Sequence, residues 1–272
     1  MSDAVKVGLA LSGGGVRGMA HIGVIKVLEK NQVPISFISG ASAGALVGGI
    51  YASGTPIEKI EETVTKLRSR DIARLIDPGR PSVGFIKGNK LMKLISKILT
   101  EKNIENFKIP FSAIATDVVT GDEIIFNRGD ALTAIRSSIS FPGVFAPVKF
   151  ENSFLVDGGV VNPLPVDAVK EMGADVILGV NVLGEPTAKV DEKKQTIVSR
   201  KVISNIISIM EKKMVDLKLE KVKDKNMVIL KPNVRGISTF TVSSKSLVQA
   251  IKEGEKETSR RISEILGMIG RQ

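Results

Sequence analysis

Cysteine is absent from this 272-residue chain. That absence excludes disulfides, thiolate metal sites and a cysteine nucleophile together. Tryptophan is absent too, and one tyrosine stands against ten phenylalanines. The stacking platforms that hold single-stranded nucleic acid are therefore scarce. No zinc-finger or recognition-helix pattern is present either, so nucleic acid is not an expected partner. Apolar runs of 18 or more residues are missing, and with them the expectation of a bilayer-spanning helix. Residues 1–11 do not read as a signal peptide, because their apolar run is short, carries Lys6 and leads straight into glycines. A cytoplasmic location is expected, with any lipid contact peripheral.

Apolar residues make up 43% of the chain and charged residues 25%, enough for one large domain with a full core. The formal net charge of +10 has two readings, solubility or attraction to an anionic surface. With nucleic acid set aside, the surface it fits is a membrane.

Short apolar segments alternate with amphipathic ones. Strands are expected over 5–11, 34–39, 111–118, 123–126, 154–156, 175–182 and 227–230. Helices are expected over 19–31, 45–53, 57–74, 91–99, 131–138, 166–172, 195–223 and 246–268. In the 195–223 helix, Ile206, Met210, Met214 and Leu217 continue a stripe begun by Val202 and Ile203. Thr120-Gly121-Asp122 reads as a hairpin turn, 77–88 as a loop and 185–194 as a mobile surface loop. The alternation points to a three-layer α/β/α fold with a mostly parallel central sheet. Residues 5–182 form its expected core, and 183–272 add helices and one strand to the same domain.

Gly40-Ala41-Ser42-Ala43-Gly44 matches G-x-S-x-G. A serine at a sharp strand-to-helix turn presents its hydroxyl, and glycines two residues away on each side let strand and helix approach. Residue pattern alone leaves a second reading open, a close-packed glycine turn whose serine caps the helix. A Ser-His-Asp hydrolase would draw its base from His21, the single histidine. His21 lies upstream of the serine, in the wrong chain order for an α/β-hydrolase, and a packing or backbone hydrogen-bonding role is favoured. Asp157, followed by Gly158 and Gly159, is the alternative base; a plain Asp-Gly turn is its bland counterpart. Gly13-x-Gly15-x-x-Gly18 also fits a dinucleotide fingerprint. That fingerprint calls for an acidic residue at the end of the next strand, where this chain has Ser39-Gly40, so the nucleotide reading is weak.

Three blocks together resemble the patatin-like phospholipase signature. They are Ser12-Gly13-Gly14-Gly15-Val16-Arg17-Gly18, Gly40-Ala41-Ser42-Ala43-Gly44 and Asp157-Gly158-Gly159, in the family's order and at family-like spacing. Ala20-His21-Ile22-Gly23-Val24, Arg136-Ser137-Ser138 with Pro142, and Asn162-Pro163-Leu164-Pro165 resemble bacterial members. The resemblance implies a Ser42–Asp157 dyad and an oxyanion hole from the N–H groups of Gly13 to Gly15. It also implies a lipid ester as substrate, with no cofactor and no metal. Two alternatives stay open: a carboxylesterase or thioesterase on the same dyad, and a lipid-binding module without catalysis. For Arg17 two roles are open, ordering the glycine loop or meeting a lipid phosphate.

Overall fold

A computed structural model of the chain describes residues 5–79, 86–184, 199–222 and 224–270. Its strands are β1 (Val7–Leu11), β2 (Ile35–Ala41), β3 (Phe111–Asp117), β4 (Glu123–Phe126), β5 (Val148–Phe150), β6 (Ser153–Asp157), β7 (Val176–Val180) and β8 (Met227–Leu230). They form one sheet in the order β5-β6-β3-β2-β1-β7-β8, with β4 paired to β3. Strands β3, β2, β1, β7 and β8 run parallel. Strands β4, β5 and β6 join antiparallel at one side.

The helices are α1 (Ala20–Lys30), α2 (Ala43–Ala52), α3 (Ile57–Thr65), α4 (Ser69–Leu75), α5 (Asn89–Ile98), α6 (Ala131–Ser138), α7 (Val166–Glu171), α8 (Ser199–Val222) and α9 (Ser244–Met268). Strand β1 shows how the layers arise. All five of its residues are buried, as expected for a parallel strand covered on both faces. Leu9 and Leu11 enter the larger core with Ile22 and Ile25 of α1, Val47 of α2 and Ile251 of α9. Ala10, between them, joins Val169 of α7, Ile177 of β7 and Val215 of α8 on the opposite face. The fold is thus α/β/α with a mostly parallel sheet.

Several elements differ from the sequence pattern for physical reasons. The 57–74 helix is broken into α3 and α4. Strand β5 was not anticipated; it has only three residues, none fully buried. Residues 185–194, expected as a mobile loop, lie outside the described residues, as do 195–198 and 223. In α8 the apolar stripe faces outward: Ile206, Met210 and Leu217 are 50%, 53% and 65% exposed. The face turned to the protein carries Glu211 and Val215, both buried.

Candidate active site

Strand β2 runs up to Ala41, so the chain turns at Ser42 itself. Ser42 has φ 52° and ψ −120°, a left-handed conformation that costs a non-glycine residue about 1–3 kcal/mol. The flanking glycines make this turn possible. A Cβ on Gly44 would stand 2.1 Å from the Leu11 carbonyl oxygen, and one on Gly40 would stand 2.4 Å from the Gly44 carbonyl carbon. The N–H of Ser42 donates to Ser138 Oγ at 2.9 Å. Ser138 is buried at the end of α6 and fixes the strained residue from below.

Asp157 meets the elbow along the same edge of β3, because β4 pairs with Ala113 to Thr116 on the opposite edge. Ala41 pairs with Ile114 and Asp157 with the next residue, Ala115, so the ends of β2 and β6 meet head to head. Both residues stand at the carboxyl end of a strand, Ser42 just after β2 and Asp157 as the last residue of β6. Strand β6 runs antiparallel to β3 and ends level with the elbow. The Asp157 N–H donates to Ser140 O at 3.1 Å, and Thr116 Oγ1 donates to the Asp157 carbonyl at 2.8 Å. Its carboxyl is 1% exposed. Oδ1 accepts from the Gly159 N–H at 2.8 Å, whereas Oδ2 is buried without a partner among the described residues. Burial pushes the carboxyl pKa up to about 7, against the opposing pull of the Ser42 side chain and the Gly159 amide. The Ser42 side chain stands close enough to this carboxyl to oppose its rise.

The glycine loop lies beside Ser42. The Gly13 N–H is taken by Pro163 O at 3.1 Å, which removes it from the set of amides free to meet an oxyanion. Gly14 and Gly15 have φ 144° and 57°, and both line the cavity that holds Ser42. Among the described residues nothing accepts a hydrogen bond from either N–H. Gly18 sits where a Cβ would be 2.3 Å from Ala43 Cβ, packing the loop against the first turn of α2.

Arg17 is buried. Its Nε donates to Ile237 O at 2.8 Å and its Nη1 to Leu183 O. It ties the C-terminal segments to the glycine loop. His21 is fully buried, and its Nε2–H donates to Ser12 O at 2.9 Å. Burial lowers its pKa to about 4, so the ring is neutral and anchors the start of the loop.

A cavity of about 360 Å³ opens from Ser42 between α2, α3, α4, α5 and the 139–145 segment. Its walls are almost wholly aliphatic and aromatic, including Val47, Ile60, Leu91, Ile95 and Phe141. Among the described residues no three His or acidic side chains are placed to hold a metal ion.

A family model for patatin-like phospholipases matches residues 9–170. The chain belongs to the patatin-like phospholipase family. An uncharacterised NTE family protein of Mycobacterium tuberculosis is 38% identical over 183 residues, covering 67% of this chain and 51% of that protein. Lysophospholipase nte1 of Emericella nidulans is 35% identical over 179 residues, covering 65% of this chain and 12% of that protein. This patatin-like chain therefore spans about half the length of its mycobacterial relatives. VipD from Legionella pneumophila has the same fold, with a TM-score of 0.55 at 14% identity over 96% of this chain and 67% of VipD. The type III effector ExoU superposes with a TM-score of 0.51 at 14% identity, over 96% of this chain and 53% of ExoU.

Two residues of the site were not found from sequence. Ser138 acts through a hydroxyl whose partner lies 96 positions away. Glu211 sits in a run, Glu211-Lys212-Lys213, that has the look of a solvated helix face.

Proposed function

We propose that the protein hydrolyses acyl esters of lipids, with Ser42 as nucleophile and Asp157 as its proton acceptor. One observation carries this reading: a serine on strained backbone opens onto an apolar cavity, with its side chain beside a buried carboxyl that has, among the described residues, an unpartnered oxygen. Ser42 Oγ bonds to the ester carbonyl carbon as its proton passes to Asp157 Oδ2. The negative charge goes to the carbonyl oxygen, beside the Gly14 and Gly15 amides and the N-terminus of α2. Collapse breaks the bond to the alcohol, and Asp157 returns the proton to the leaving oxygen. Water then adds to the acyl-enzyme with Asp157 again as base, and Ser42 leaves with its proton restored.

A free carboxylate is a weak base for an alcohol. A carboxyl raised to about 7 by burial narrows that mismatch, and oxyanion donors contribute roughly 3–4 kcal/mol each in a hydrolase where one was removed. The volume and apolar lining of the cavity favour a long acyl chain over the short esters of a general carboxylesterase. We also infer that the mouth faces a lipid surface. Ile76, Phe240 and Val242 line the cavity and are also solvent-exposed, the outward stripe of α8 adds further apolar area, and the chain carries +10.

The test is hydrolysis of long- and short-chain lysophospholipids and thioesters by the wild type, Ser42→Ala and Asp157→Asn. Loss of roughly a thousandfold or more in kcat in both variants is expected, with long-chain oxygen esters preferred. Unchanged turnover in Ser42→Ala would overturn the reading.

A further inference from the structure

Helix α8 brings a second carboxyl to the dyad. Glu211 is 8% exposed and is, among the described residues, the one ionisable side chain lining the cavity that holds Ser42. Its Oε1 lies 2.7 Å from the point that a Cβ on Gly159 would occupy, and Asp157 Oδ1 lies 3.1 Å from that same point. The N–H of Gly159 is the donor that holds Asp157 Oδ1. Two carboxyls thus share the bare face of one glycine, out of bulk water. The second glycine of Asp157-Gly158-Gly159 is the residue that makes room for Glu211.

Two charged groups face Glu211, Asp157 from the end of β6 and Arg17 from the glycine loop. Arg17 sends Nε and Nη1 to the carbonyls of Ile237 and Leu183, and its charge opposes the rise at Glu211. Two buried carboxyls this close resist double ionisation.

Resting on the Ser42–Asp157 reading, we propose that Glu211 is a positioning residue that works only while protonated. Neutral, it fills the space beside Asp157 without adding charge. Ionised, it sets a second negative charge beside Asp157 and on the wall of the cavity that holds Ser42, and turnover falls. Burial raises both carboxyls, and the charge on Asp157 raises Glu211 further. The pair titrates as a unit with two apparent steps, the second proton leaving at higher pH than the first. Turnover rises through the first step and falls through the second.

The experiment is the pH profile of kcat from pH 5.5 to 10 for the wild type, Glu211→Gln and Glu211→Met. Thermal melts and fluorophosphonate labelling of Ser42 are followed at each pH. The wild type is expected to show a bell. Both variants keep the acid limb and lose the alkaline limb, so that relative activity at high pH exceeds that of the wild type by about tenfold or more. A structural role alone would lower activity evenly and leave the alkaline limb in place. Folded variants that retain that limb, or a wild-type profile flat above pH 8, overturn the proposal while labelling at Ser42 leaves the dyad standing. A wild type that hydrolyses without labelling at Ser42 removes both.

Discussion

Replacing Asp157 by asparagine should make the protein more stable in mild alkali while removing its activity. The Asp157 carboxyl rises from the ordinary 3.8 to about 7 in the folded protein because burial disfavours its charged form. A raised carboxyl pKa means that the folded state holds its proton where the unfolded chain has lost it. The folded state is therefore unpenalised below about pH 4. It loses stability as pH climbs to about 7 and keeps that penalty above. A rise of about three pKa units corresponds to roughly 4 kcal/mol at pH 8. Asparagine has the same shape and still accepts from the Gly159 N–H, but it carries no charge to bury. Urea unfolding of the wild type and Asp157→Asn at pH 4.5 and pH 8 reads the effect. The two proteins should be similar at pH 4.5, and the variant more stable by several kcal/mol at pH 8. Parallel pH dependence in both would mean that Asp157 bears no buried-charge penalty, and the account of its basicity would fail.

Two other outcomes follow from the geometry. Gly44→Ala would force a methyl to within 2.1 Å of the Leu11 carbonyl, and a destabilisation of about 1–3 kcal/mol is expected by thermal melting; an unchanged melting temperature would show that the elbow tolerates a side chain. Binding to anionic vesicles should weaken as salt rises, because the +10 charge acts through a screened field. Salt-independent binding in a sedimentation assay would assign the attachment to the apolar rim alone.

Much of this fold was legible because local and global signals agree. Val7 to Leu11 is apolar throughout and is buried on both faces. The glycines at 40 and 44 carry the elbow in their spacing, since any side chain there would meet backbone. The three motif blocks marked the residues that the sheet brings together. What was not legible depends on partners far away in the chain. The resemblance implied the Gly13 amide as an oxyanion donor, yet Pro163 takes it. Asp157 owes its position to an antiparallel strand of five residues, a direction that no periodicity encodes. Helix α8 misled most directly. Its apolar stripe, Ile206, Met210 and Leu217, points outward, and the inward face is read by a buried glutamate next to two lysines. An apolar stripe marks a core only if no lipid or partner surface competes for it.

The measurement that reaches the central claim most directly is mass analysis of peptides after reaction with a fluorophosphonate. One phosphonyl adduct on the peptide carrying Ser42 is the expected result, abolished in Ser42→Ala and strongly slowed in Asp157→Asn. Folded protein that stays unmodified, or an adduct on another hydroxyl with Ser42 untouched, would contradict the claim that this serine and this aspartate form a nucleophile and its base.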